Sequence, residues 1–328
     1  MKNIYLVTGA CQEDEELNFQ LTQFLDNGNC NIVLWIDFKS QSSYLRSLES
    51  LKKINCSNNI KLINAPSALW GGFSILETLI HGLFYCSNNY RDFTNILILS
   101  IRDLPLINRH GFDMILENFS TYDFCGSFWN SGKYDFVKES QVDFSKIEGG
   151  KYNKYTYRSG VNFLVHESLS ATYTESLIKS GRISDNLSDR VYCNAIEMGS
   201  INTICINPLN EISHLNRVRF IEEFGLYYGR MWIYINQNML KLLLDNKNII
   251  YMYQFFYSTL NSDEGYFQTV AKLYSNFLKI WPHNFYYDDA DVKLVTNENF
   301  SHFKSTRKTY DILIRKSHSD FNFLENIY

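Results

Sequence analysis

Three short apolar runs constrain this chain more than anything else in it. Residues 4–8, 32–36 and 96–99 are nearly continuous in Ile, Leu, Val and aromatic side chains, and they stop at Gly9, Asp37 and Ser100. A strand that is apolar at every position rather than at alternate ones is covered on both faces, as in a parallel sheet lying between layers of helix. The segments between the runs supply those helices. Leu17, Leu21 and Leu25 recur at helical spacing over residues 15–25, and residues 69–85 carry an apolar helical period after Gly71-Gly72. The predicted class is α/β, a Rossmann-type mixed sheet flanked by helices. In such sheets ligands lie beyond the carboxyl ends of the strands, and Asp37, Lys39, Ser100 and Asp103 occupy those ends.

The pattern weakens between residues 122 and 223, where glycines punctuate short aromatic segments and 143–154 reads as a polar loop. A strand at 161–165 and helices at 169–179 and 190–198 are predicted there. Order returns with an apolar strand at 232–235, two helical patterns running to Leu278, and a last strand at 310–314. The chain divides into a first half (1–124), a variable insertion (125–225) and a second half (226–328), all within one domain.

Composition excludes several classes. With 31 basic and 35 acidic residues the formal charge is −4, the wrong sign for a protein that binds nucleic acid by neutralising phosphates. No run is long enough to span a bilayer, and the first residues turn polar too soon for a secretory signal. The seven cysteines are scattered without a CxxC pair, which fits reduced thiols in a cytoplasm better than a disulfide framework or a zinc site. The GxGxxG, Walker, HExxH and GxSxG patterns are all absent. The single Asp-x-Asp, Asp289-Ala290-Asp291, follows no apolar strand and reads as a solvated loop, so the sequence predicts no metal site.

Four blocks in order resemble the core-2/I-branching β-1,6-N-acetylglucosaminyltransferase family, which includes the peptide O-xylosyltransferases. Val33 to Ser40 is similar to the family's strand ending in HxDxK. Trp70-Gly71-Gly72-Phe73-Ser74, with the later strand leading to Ser100, Arg102-Asp103-Leu104-Pro105, resembles its WGG-S and S-x-D-x-P blocks. Gly229-Arg230-Met231-Trp232, followed by Ser262-Asp263-Glu264-Gly265-Tyr266-Phe267-Gln268-Thr269, resembles its G-S-x-W strand and P-D-E-x-x-F-x-T helix start. Ile314-Arg315-Lys316 is similar to its F-A-R-K ending. Trp35, Arg230 and Ser262 depart from the family's His, Ser and Pro, and residues 125–225 have no counterpart.

The resemblance implies a GT-A-like fold and metal-independent, inverting transfer of a sugar, N-acetylglucosamine by family frequency, from a UDP-sugar to a hydroxyl of a surface glycan or lipid-linked saccharide. It implies that Glu264 is the base. Locally, Asn261 or Ser262 could cap a helix whose buried stripe is Phe267, Val270, Ala271, Tyr274 and Leu278, and a first-turn carboxylate is favoured by the helix dipole; charge stabilisation alone would explain the same residue. Lys316 is implied as the diphosphate ligand in place of a metal. Arg315 is adjacent, on the opposite face of an extended strand, and Lys279 or Lys293 could supply a second cation. Asp37, Lys39, Gly71, Gly72 and Asp103 are candidates for the nucleotide, although Asp103 could equally cap the Pro105 turn. Trp232 and Arg230 are candidates for the acceptor, and Trp232 could equally be a packing anchor. No cofactor and no nucleic acid are expected. The expected location is the cytoplasm, with peripheral contact to the inner membrane left open. Two other readings stand beside this one: a catalytically silent sugar-nucleotide or glycan-binding protein of the same fold, and a metal-dependent retaining transferase.

Overall fold

The computed structural model describes residues 2–11, 19–53, 59–68, 73–128, 227–257, 262–287 and 295–315, together with the backbone of three strands between them. Its centre is a seven-stranded sheet built from β1 (Asn3–Cys11), β2 (Asn31–Phe38), β3 (Ile60–Asn64), β4 (Asn95–Ser100), β6 (Phe124–Cys125), β10 (Tyr234–Asn236) and β11 (Ile280–Trp281). The order is β11-β6-β10-β4-β1-β2-β3. β1 pairs in parallel with both β2 and β4, and β2 with β3. β10 runs antiparallel between β4 and β6. The α/β class is therefore observed, with the three apolar runs side by side at its core and every residue of β2 and β4 buried.

Alternation along β1 assigns a layer to each face. Leu6 points to α3 (Phe73–Asn89), whose Leu76, Leu79, Ile80 and Leu83 are buried to 2% exposure or less. Gly82 lets that helix close on the sheet: a Cβ there would stand 3.3 Å from the Leu6 methyls. Tyr5 points to the other face, where α1 (Gln20–Leu25) and α4 (Arg109–Phe119) lie. Phe24 meets Phe112 edge to face at 5.4 Å. Arg109 ties this layer together with a bidentate pair to Asp113, a bond to the Phe24 carbonyl and another to the Tyr5 hydroxyl. α4 starts where it does because the Asn108 side chain accepts the Gly111 N–H at 2.9 Å. Asn108→Ala should lower unfolding stability by about 1 kcal/mol in urea denaturation, with Asn108→Asp close to wild type.

β5 (Leu104–Pro105) and β12 (Leu313–Ile314) form a two-stranded antiparallel ribbon, and β7 (Val161–His166), β9 (Thr203–Pro208) and β8 (Tyr192–Cys193) a three-stranded antiparallel sheet. The strand expected at 161–165 is there. Residues 192–193 are strand rather than part of a helix, because pairing with β9 outweighs local helical spacing. The helix expected at 169–179 lies outside the described residues. Two expected elements are shorter in the structure: the last strand covers only Leu313–Ile314, and the helix expected from residue 15 is Gln20–Leu25 where described. After α2 (Gln41–Lys53), α5 (Gln237–Leu243) and α6 (Asn246–Tyr251), a π-helical turn and a 3₁₀ turn (Ser262–Glu264) precede α7 (Tyr266–Leu273). The last described helix is α8 (Asn297–Thr306). No described helix is long and apolar enough to cross a membrane.

Candidate functional site

The strand order reverses between the parallel neighbours β1 and β4, so the crevice beyond their carboxyl ends is where a ligand belongs. Strand register brings distant sequence to this mouth. β10 runs antiparallel to β4 with Tyr234 opposite Leu97, and the Ile98 N–H bonds the Ile233 carbonyl. The residues ahead of it, Gly229 to Trp232, are thereby carried to the level of Ser100. In the ribbon, Ile314 pairs with Leu104, so the next residue, Arg315, meets Asp103.

Asp103 is 1% exposed. Its Oδ2 accepts the Ser100 N–H at 2.6 Å and the Tyr286 hydroxyl, while Oδ1 faces Arg315 Nε at 3.7 Å. Burial pushes its pKa up to about 6, against the lowering pull of Arg315, Tyr286, the Ser100 amide and Arg230. Tyr286 is pushed well above the ordinary tyrosine value by burial and by the Asp103 charge. The Arg315 guanidinium stacks on Trp232, 4.3 Å from the ring centroid, with its side chain 34% exposed. The nucleotide role expected for Asp103 does not fit a side chain with no exposed surface. Nor does an acceptor platform fit Trp232, which is 4% exposed and has Arg315 on its face. Packing anchor and turn-closing carboxylate are what the structure shows.

Glu264 lies one step earlier in local structure than its spacing predicted. It closes the 3₁₀ turn, and Gly265, not Asn261 or Ser262, is the N-cap of α7, without a side-chain cap. The apolar stripe ends with the helix at Leu273, and Tyr274 and Leu278 pack from the turns that follow. The 3₁₀ turn packs against α3. Its link to the mouth is direct: the Gly229 N–H donates to the Glu264 carbonyl at 2.8 Å. The Gln268 amide donates to the Arg230 carbonyl at 2.7 Å, Thr269 bonds both the N–H and the carbonyl of Tyr227, and the Arg230 N–H donates to Ser127 Oγ. The segment is stitched along its length to the first turns of α7.

At the end of β2, Asp37 is buried and its Oδ2 accepts from Lys39 Nζ at 2.7 Å, the Ala68 N–H at 2.8 Å and Ser67 Oγ at 3.3 Å. Lys39 also reaches Ser67 Oγ and the Ala68 carbonyl. The pair thus fixes the 65–68 loop at the mouth, with Asp37 buried and Lys39 exposed. Lys279 is not at the mouth. Its N–H bonds Asp123, its ammonium bonds Thr121 Oγ1 and sits 4.3 Å over the Tyr122 ring, and this cluster also takes in Asn236. Asn236 pairs with Asn95 at the amino end of β4, five residues, or about 17 Å, from Ser100. Lys279 therefore anchors the opposite end of the sheet. A cavity of about 170 Å³ lined by Tyr5, Asn27, Cys30 and Asp113 also lies away from the mouth, beside the first strand's amino-terminal half. Gly71, Gly72, Lys293, Lys316 and Asp289-Ala290-Asp291 fall outside the described residues. Among the described residues no group of three or more His, Cys, Asp or Glu is placed to hold a metal ion.

Sequence reasoning missed Tyr286 and Ser127. Tyr286 stands in an aromatic pair ahead of an acidic run, and nothing in that spacing marks it as the donor to Asp103.

No family model matches the sequence, and no curated protein matches it. Among solved structures the chain is similar to the apo structure of the bifunctional glycosyltransferase WbbM, at 11% identity and a TM-score of 0.34, over 96% of this chain and 45% of that one. It is similar to the galactosyltransferase LgtC in complex with donor and acceptor sugar analogues at the same identity and TM-score, over 97% and 87% of the two chains. The chain thus spans less than half the length of WbbM. A TM-score of 0.34 transfers neither fold nor chemistry, so the α/β architecture stands on the sheet order and register given above.

Proposed function

We propose that this chain is a metal-independent, inverting glycosyltransferase of GT-A-like fold. On this reading it moves a sugar, N-acetylglucosamine first among them, from a UDP-sugar to a hydroxyl of a surface glycan or lipid-linked saccharide, with β linkage. One observation carries the reading. The segment Gly229 to Trp232 binds the Glu264 carbonyl at one end and lies under the Arg315 guanidinium at the other. Three residues of chain span at most about 11 Å, so the backbone of Glu264 and the guanidinium of Arg315 are joined through one short segment, which supports pairing a base with a cation.

The chemistry that fits is a single displacement. The acceptor hydroxyl oxygen bonds to the anomeric carbon as its proton passes to the Glu264 carboxylate. The bond from that carbon to the diphosphate oxygen breaks, and its electron pair leaves with UDP. Arg315 offsets the charge that develops on the leaving group, a task that preorganised cations perform well in a dry site, and Lys316 follows it in sequence. Asp37 and Lys39 shape the loop against which the nucleoside would rest.

Calorimetric titration with UDP and a panel of UDP- and CMP-sugars, first in EDTA and then with magnesium or manganese, tests the proposal. Binding of one UDP-sugar in EDTA, with release of free sugar or transfer to an added saccharide, is the expected result. Binding only after a divalent cation is restored would favour a metal-dependent transferase. Binding without turnover on any acceptor would favour the silent sugar-nucleotide receptor.

A further inference from the structure

The two oxygens of Asp103 are used unequally. Oδ2 takes the Ser100 amide and the Tyr286 hydroxyl, whereas Oδ1, fully buried, has no hydrogen bond among the described residues and looks at Arg315 Nε. A buried acceptor left without a hydrogen bond is destabilising, and the nearby guanidinium is what offsets it. Arg315 in turn has one face on Trp232 and its Nε edge toward Asp103, with about a third of its side chain exposed. A bidentate guanidinium recognises phosphate oxygens only if its plane is fixed.

We propose that Asp103 and Tyr286 are positioning residues that never touch the nucleotide: they hold the Arg315 guanidinium flat on Trp232, edge-on to the diphosphate, and make donor affinity depend on the ionisation of Asp103. This rests on the transferase reading for the identity of the anion, but not for the coupling itself. The groups that face Asp103 are Arg315 after β12, Tyr286 ahead of that strand, Arg230 ahead of β10 and the Ser100 amide after β4. All four favour its negative form and the burial opposes it, which places the titration near pH 6. Above that pH the carboxylate is charged and Arg315 is held. Below it Asp103 is protonated, the counter-charge is gone and the guanidinium is released to solvent.

The test has two readouts. In protein labelled with ¹⁵N-arginine and free of ligand, the Arg315 Nε–H resonance, assigned by its loss in Arg315→Lys, should shift with a midpoint near pH 6. In Asp103→Asn it should be insensitive to pH between 5 and 8, and in Tyr286→Phe, which removes one donor to the carboxylate, the midpoint should move to higher pH. The second readout is the Kd of UDP-N-acetylglucosamine, whose diphosphate does not change protonation over this range. It should weaken about threefold from pH 7.5 to 5.5 in the wild type, and be weak by about tenfold and flat in Asp103→Asn. Thermal melts of the variants establish that they are folded. A resonance unaffected by pH and by Asp103→Asn overturns the proposal, as does wild-type affinity with an unchanged pH profile in that variant. A responsive resonance without donor binding by the wild type supports the coupling and overturns the donor reading alone.

Discussion

Glu264→Gln should reduce turnover by about 10² to 10⁴, the range that a positioned general base contributes, while the Kd for the UDP-sugar stays within about twofold of wild type. The separation follows from where Glu264 sits. Its backbone carbonyl, which the substitution keeps, is the atom that accepts Gly229. The 3₁₀ turn is fixed by the Gly265 N–H to Ser262 carbonyl bond and by packing on α3. The proton acceptor is removed while these backbone contacts stay. The measurement is single-turnover transfer beside a calorimetric Kd; turnover at the wild-type rate would show that another group takes the proton. Parallel loss of binding and turnover would show instead that the carboxylate holds substrate in the ground state.

Gly229→Ala should be more damaging to the fold than any surface change at the mouth. A Cβ at this position would lie 1.7 Å from the Ser127 carbonyl oxygen and 2.7 Å from the Gln268 amide. A flexible side chain could step aside, but a backbone carbonyl cannot move without the chain segment that bears it. The expected cost is at or above the upper end of the roughly 1–3 kcal/mol seen for overpacking. Because the displaced backbone carries the bond to Glu264 and the loop to Trp232, activity should fall by more than the loss of folded protein explains. A melt by circular dichroism with activity measured well below the transition separates the two effects. A variant with wild-type Tm would show that 227–230 can slide as a unit off α7.

What could be read in the sequence was whatever depended on local pattern and strong burial. The continuous apolar runs at 4–8, 32–36 and 96–99 are the three central parallel strands because nothing but a doubly covered sheet accommodates them. Glu264 and Lys316 were singled out by their motifs, with Arg315 as the neighbour on the opposite face; register brings Arg315 to Asp103, and Lys316 lies outside the described residues. Elements of two residues, such as β6 and β11, were invisible: too short for any period, they exist only because a neighbour offers backbone partners. Lys279 shows the limit on the side of function. A lysine ahead of a strand has the same spacing whether it lies at the carboxyl or the amino end of the sheet, and only the parallel pairing of β6 with β11 decides that it belongs to the far end. Asp103 shows the complementary limit. Its motif marked it as important, but whether a carboxylate meets ligand or holds another side chain depends on burial and on a tyrosine from a distant segment.

The antiparallel strand β10 also sets the order in which the molecule can assemble. The βαβ units from β1 to β4 close with connections that are short in sequence, whereas β4 receives its other neighbour only when Tyr234 reaches Leu97. Until then one edge of β4, apolar from Ile96 to Leu99, has unpaired backbone groups on offer to any other strand. During synthesis that edge stays open while everything from β5 to Gly229 is being made, and contacts of such separation form late. The nascent chain therefore passes through a stage in which its parallel strands present an adhesive edge, and the docking of β10 completes the mouth and covers that edge together.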